Sequence, residues 1–356
     1  MPNNGHDGKS PTSYSFNIGI QKKMPLDAVL DISCVGTPGV HLLQRRNINA
    51  PAYGAAYVAA NQDPTLAPST TGASALPRDF LRPCQGFGDI SYIEPASSSN
   101  YHSLQTSLNR RFSKGLLLGV TYTWSKALGA QQQDLPGINS FGAPRIDNNN
   151  RLANYAPQDF DRRHNVNWVY ELPKATSSHA LGYALNNWQI SGIYRYQTRA
   201  PYNVGFSIPG LSGNGVTGTQ QIEGGRIVII GDPGSGTSDD PYRQFNVAAF
   251  TTPGLGSKGL ESGRNFLYRV PINSWDLSLS KEFRIKERAK FEIRLDAFNA
   301  LNHTQFDTIN STLNVTSLTN PTPTNLASET GNKTGFGAVT AVRPPRNMQL
   351  SARFQF

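Results

Sequence analysis

Charge is scarce in this sequence of 356 residues: Asp, Glu, Lys and Arg make up 16% of it, against roughly 25% in an average soluble domain. That excludes a charge-rich disordered tail and a coiled coil. Cysteine is scarcer still. Cys34 and Cys84 are the only two; they cannot build a disulfide framework or a four-cysteine zinc site, and one bridge between them would be optional. Long apolar runs are missing as well. The longest, 52–60, is made mostly of small residues and falls far short of the roughly 18 that a membrane-spanning helix needs. Residues 1–15 are polar, without the apolar core of a signal peptide. The chain reads either as cytoplasmic or as beginning elsewhere than its gene product does.

Signatures of catalysis are also lacking. No H-E-x-x-H, G-x-S-x-G, P-loop or C-x-x-C pattern occurs, and the six histidines, at 6, 41, 102, 164, 179 and 303, form no H-x-x-x-H pair. A hydrolase or nucleotide-dependent enzyme is not expected, nor is a cofactor. Gly213-Asn214-Gly215-Val216-Thr217-Gly218 matches G-x-G-x-x-G, but no buried strand precedes it and no helix follows, so it reads as a loop. Asp232-Pro233-Gly234-Ser235-Gly236, with Asp239 and Asp240, lacks the spacing and closing Glu of an EF-hand. The net charge of +9 comes from 33 Lys and Arg spread along the chain, with doublets such as Arg45-Arg46 and Arg110-Arg111 but no basic stripe. Nucleic acid is not an expected partner.

What is present is alternation. Apolar residues recur with period two over long segments: Tyr14, Phe16, Ile18 and Ile20; Ala28, Leu30, Ile32 and Cys34; His102 to Leu108; Leu116 to Trp124; Val166, Trp168, Tyr170 and Leu172; Trp188, Ile190, Tyr194 and Tyr196; Trp275 to Phe283; Phe291 to Ala297; Met348 to Phe356. These are nine strands of about 9 to 14 residues, longer than the usual 5 to 6 and matched to the 9 to 11 that a tilted membrane strand needs. The connections alternate in length: short at 23–26, 113–115, 173–186 and 285–287, long at 46–99, 128–163, 200–273 and 302–345. Such parity is the habit of outer-membrane barrels, with short periplasmic turns and long extracellular loops. The fold expected is therefore all-β, an antiparallel transmembrane β-barrel segment.

Aromatic placement supports it, because a barrel carries aromatic girdles at both interfaces. Tyr101, Tyr122, Trp124 and Trp275 fall at the extracellular ends, with Tyr194 and Tyr196; Trp168 and Trp188 fall at the periplasmic ends, with Tyr170, Phe283, Phe354 and Phe356. The alternative is that these rings fill a soluble core. The opposite face, with Asn109, Asn165, Asn167, Gln189, Arg195, Lys290, Glu292, Arg294 and Asp296, would line a polar lumen. Glu292 and Asp296 flank Arg294 on one face, which reads as a neutralised wall rather than an acid/base pair. The densest ionic cluster, Asp159, Asp161, Arg162, Arg163 and His164, sits at a strand start; salt-bridge anchoring, ligand contact and metal binding by His164 with an Asp are its three readings. A C-terminal strand that ends in the periplasm puts residue 1 outside, and nine antiparallel strands cannot close evenly. The expectation is that the chain is the C-terminal portion of a larger barrel, or that 226–230 hides a tenth strand.

The run Asn100-Tyr101-His102-Ser103-Leu104-Gln105 to Arg110-Arg111-Phe112, followed by Gly115 and Tyr122-Thr123-Trp124-Ser125-Lys126, resembles the C-terminal barrel of TonB-dependent outer-membrane receptors, especially the Oar-like group. So do Asp159-Phe160-Asp161-Arg162-Arg163-His164, the stretch Phe298-Asn299-Ala300-Leu301-Asn302-His303, and Gln44-Arg45-Arg46-Asn47. Leu350, Phe354 and Phe356 resemble the signal read by the outer-membrane barrel-assembly machinery. The resemblance implies a barrel of about 22 strands, plugged by an N-terminal domain and energised by the TonB complex, which takes up large or scarce substrates. The plug, TonB box and first barrel half would lie outside this sequence, so contact with TonB would come through that N-terminal part. Expected partners are outer-membrane lipid, the assembly machinery and an unidentified ligand captured by the long loops. The competing readings are an adhesin or structural barrel without transport, and a soluble secreted carbohydrate-binding β-protein.

Overall fold

The computed structural model describes residues 3–4, 9–63, 65, 76–129, 156–157, 162–198, 200–208, 225–236, 240–286, 289–317 and 320–356. Its principal strands are β1 (Phe16–Met24), β2 (Ala28–Gly36), β3 (Gly39–Asn47), β4 (Ser91–Ser113), β5 (Leu116–Gly129), β6 (Arg162–Glu171), β7 (Trp188–Gln197), β8 (Ile272–Lys286), β9 (Ala289–Phe298) and β10 (Asn347–Gln355). β2 and β3 are one span interrupted at Thr37-Pro38, where proline removes a ladder donor. Each span is antiparallel to the one before it, and together they form a nine-span meander in chain order. The sheet is open. β1 and β10 both run towards the short-turn end, so an antiparallel sheet cannot close by joining them.

All nine expected strands are present, with corrected bounds. The first begins at Phe16, because Thr12–Ser13 pairs separately with Gly39 and Val40. The fourth principal strand is the largest departure. β4 runs for 23 residues and pairs with β2 through 102–110 and with β3 through 91–99, so the connection expected at 46–99 shrinks to 48–90. Its polar, Ser-rich start carries no apolar alternation; the pairing with β3 across two register shifts makes it a strand. The connection 172–187 holds a short helix, His179–Leu185, and Asn186 closes it by accepting from Ala175 and Thr176 N–H and donating to the Thr176 carbonyl. No tenth span lies at 226–230: Val228–Ile229 pairs with Phe250–Thr251 in a separate two-stranded sheet.

The period-two pattern produces two unlike faces. The β4–β5 hairpin turns at Lys114 and Gly115, both at positive φ, as a tight turn matched to strand twist requires. From there the register stacks Leu118, Trp168 and Gly192 in one row and Val120, Val166, Tyr194 and Trp275 in the next. Gly192 has to be small, since a Cβ there would enter the Trp168 indole, and Gly36 likewise leaves space for the Phe16 ring. This apolar face is bare in the chain itself: Ile18, Ile20, Trp124, Leu350 and Phe354 are all exposed.

The buried core lies elsewhere. Tyr57, Phe206, Ile208, Ile227, Phe245, Phe250, Leu313, Val315 and Phe336 are buried together, and they come from three long connections, 48–90, 198–271 and 299–346. Phe245, Phe250 and Phe336 meet edge to face, with centroids 4.9 to 5.9 Å apart. Backbone pairing welds two of these connections: Gly205–Ser207 runs parallel to Thr312–Asn314, Gln244 N–H donates to the Gly337 carbonyl at 3.1 Å and Val339 N–H to Pro241 at 2.7 Å. The third is held through Gly256 N–H, which donates to the Tyr57 carbonyl at 2.8 Å.

Candidate functional site

The polar face is organised in rows across the strands. Asp31, Ser107, Thr121, Asn165, Arg195 and Ser274 share one row. Glu171, Gln189, Ser280, Arg294 and Ser351 share another. Between them the Arg294 guanidinium donates to Asp296 at 2.8 Å and to the Ser278 hydroxyl at 3.0 Å, and Ser278 also donates to Asp296. Glu282 and Glu292 stand directly opposite each other, a repulsive cross-strand pair. Arg284 at 2.9 Å and Lys290 at 3.3 Å hold the Glu282 carboxylate, and Arg353 is the cross-strand partner of Glu292. The wall is thus hydrophilic and internally compensated.

The long connections at one end of the sheet are built structures. Asn49, fully buried, anchors 48–90: its side chain accepts from Cys84 N–H at 2.8 Å and donates to the carbonyls of Cys84, Phe87 and Gly88. Arg82 donates to the Asn49 carbonyl and bridges Asp79 at 2.8 Å and Asp89 at 2.6 Å. Burial opposes the Arg82 charge, yet hydrogen bonds and attraction from the two carboxylates hold its pKa above the ordinary value. In 225–267, burial followed by the neighbouring Arg226 charge depresses Arg264 to about 10, and burial raises the phenols of Tyr57 and Tyr202. None of these was legible as a site residue. The signal available was aromatic content: a merely solvated loop has no use for Tyr57, Phe206, Phe245, Phe250 and Phe336.

The three described members of the ionic cluster, Arg162, Arg163 and His164, divide between the two faces of β6. Asp159 and Asp161 lie outside the described residues. The pleat sends Arg163 to the polar face and Arg162 and His164 to the apolar one, since successive strand residues point oppositely. His164 packs between Tyr122 at 4.6 Å and Tyr196 at 5.4 Å, and Arg162 stands 6.0 Å from the Trp124 ring. Among the described residues no three His, Cys, Asp or Glu converge for a metal. Asp232 and Asp240 serve turns, accepting from Gly234 and Tyr242 N–H, while 213–218 lies outside the described residues. Two aromatic assignments change. Tyr101 shares the parity of Ser103 and Gln105, so it stands on the polar face, apart from Tyr122, Trp124, Trp168, Trp188 and Trp275. Trp168 lies 6.1 Å from Trp275, so rings assigned to opposite girdles touch; the stagger between strands decides their level, and strand position alone does not disclose it.

The sequence profile described as "Outer membrane beta barrel domain" matches residues 3–349. The chain belongs to that family. It is therefore an outer-membrane β-barrel domain, its apolar face meeting lipid and its polar face lining the interior. No curated protein matches it. Among solved structures it is similar to the outer membrane transporter YddB from Escherichia coli (10% identity, TM-score 0.43, covering 98% of this chain and 33% of that one). It is also similar to the copper transporter OprC (7% identity, TM-score 0.37, covering 99% and 34%). The chain spans about a third of the length of each.

In the outer-membrane barrel, aromatic rings also gather at the short-turn rim. Phe283 and Phe291 lie 6.2 Å apart and Phe354 and Phe356 6.1 Å apart. Leu350 and Phe354 project from β10 and Phe356 follows it directly; the second edge of β10 is unpaired among the described residues. Phe356→Asp is expected to reduce the amount of heat-modifiable, membrane-assembled protein several-fold, whereas Gln355→Asp on the polar parity leaves it unchanged. Equal membrane yields from the two variants would remove Phe356 from any assembly role.

Proposed function

We propose that this chain is part of a TonB-dependent-receptor-like uptake barrel of the Oar-like group, non-catalytic and without a cofactor of its own. Its long extracellular loops gather a ligand, and its polar wall forms one side of the path inward. The observation that supports this best is the joint packing of three long connections into one buried core at the end of a compensated polar wall. A loop cluster that pays the entropy of ordering, with its own aromatic core, presents a defined surface rather than a solvated fringe. Coupling to TonB belongs to an N-terminal plug outside these residues, and insertion belongs to the barrel-assembly machinery acting on β10.

Formaldehyde crosslinking in energised cells expressing the complete gene product tests the coupling. A covalent complex with TonB is expected. Absence of that complex from a protein displayed normally at the cell surface would favour the adhesin reading.

A further inference from the structure

Across the nine paired spans, leaving aside 91–99 and its partner 39–47, every charged residue with lipid-facing parity is basic. Lys22, Arg110, Lys126, Arg162 and Lys281 share that face with His102 and His164, and among the described residues no Asp or Glu does. The acidic side chains Asp31, Glu171, Asp276, Glu282, Glu292 and Asp296 all take the other parity. At the short-turn rim two of the three cations are held by the chain: Arg110 donates to the carbonyls of Leu26 and Ser113, and Lys281 donates to Asn186 beside the Trp188 and Phe283 rings, while Lys22 stands exposed on the edge strand β1. The long-loop rim differs. Lys126 and His102 face each other across the ladder, Arg162 lies over Trp124, and neither Lys126 nor Arg162 is ion-paired among the described residues.

The same rim continues past His164 and Tyr196 into a cleft of about 1400 Å³. Its floor is the outward-facing Tyr196, Asn273 and Trp275, and the loops add His303 and Arg269, one arm of which donates to the Asp307 carbonyl at 2.8 Å; among the described residues no carboxylate lines it. We propose that this long-loop rim, from Lys126 and Arg162 to Arg269, binds the phosphorylated headgroups of lipids in the extracellular leaflet. The physical reasons are position and charge. Long basic side chains at a lipid-facing interface extend their charged heads to the phosphate level while their stems stay in hydrocarbon. The arginine fork matches two phosphate oxygens, and a carboxylate on this face would repel the headgroups. A soluble anion is the weaker occupant, because the groups stand beside the girdle rings Trp124 and Trp275, where headgroups already crowd the surface. The inference rests on the lipid-facing parity and is independent of transport.

The test uses the complete protein purified from outer membranes in neutral detergent. Co-purified phosphorylated lipid is measured by native mass spectrometry, and rebinding is measured with phosphatidylcholine vesicles with and without phosphatidylglycerol. Lys126→Gln, Arg162→Gln and Arg269→Gln are each expected to lower retention about fivefold, the effect of one interfacial cation. Arg162→Lys keeps most of the binding, and Arg195→Gln, on the polar face, leaves it unchanged. Heat-modifiable gel mobility confirms that each variant is folded. Full retention in the rim variants, or equal loss with Arg195→Gln, overturns the proposal. Displacement of the lipid by millimolar inorganic phosphate would reassign the rim to a soluble anion and overturn it equally.

Discussion

Phe336→Ala is expected to unfold the extracellular loop cluster while leaving the membrane spans in place. The ring is fully buried, edge to face with Phe245 at 4.9 Å and with Phe250 at 5.9 Å. Removing such a ring costs about 3–5 kcal/mol, through lost transfer energy and an unfilled cavity. The core it belongs to is small and drawn from three connections, so that loss is comparable to the stability of the cluster itself. The spans do not share this core: their pairing is a continuous ladder from β1 to β10. Protease added to intact cells should cleave the variant within 198–271 or 299–346 at least tenfold faster than the wild type, while heat-modifiable mobility persists. Wild-type cleavage kinetics would mean that the loops are ordered by something other than this packing.

The second large effect separates the two faces of the sheet. Leu279→Arg places a charge among Ile190 and Leu295, its cross-strand neighbours on the apolar face. Near the bilayer midplane such a change costs about 2–4 kcal/mol. Ser191→Arg puts the same side chain at a comparable level on the polar face, beside Ser278 and Val169, where water solvates it. Unfolding of the vesicle-inserted protein in urea should therefore shift to lower denaturant for Leu279→Arg and stay within error for Ser191→Arg. Equal shifts would contradict the assignment of the faces.

The spans were readable because their physical requirement is local. A strand with hydrocarbon on one side and water on the other must alternate at every second residue, and runs such as Leu116, Leu118, Val120, Tyr122 and Trp124 declare it without help from any distant residue. The start of β4 was not readable for the converse reason. Ser97, Ser98 and Ser99 carry no alternation, and they are strand because β3 supplies the hydrogen bonds. Of the ionic cluster, the sequence shows the adjacency of Arg162, Arg163 and His164 but not their division, because a pleated strand sends neighbours to opposite faces.

By itself, then, the sequence determined the all-β class, the nine spans, the side of each strand that meets lipid, and the long and short alternation of the connections. These follow from period-two burial, and each needs only a few consecutive residues. Tertiary structure alone decided three further things. It set the stagger that brings Trp168 against Trp275, since register depends on the neighbouring strand. It broke the second span at Thr37-Pro38 and lengthened the third. It gathered Tyr57, Phe245 and Phe336 from connections far apart in the chain into one core, because apolar surface is buried by whichever segments meet, and that meeting is a property of three dimensions.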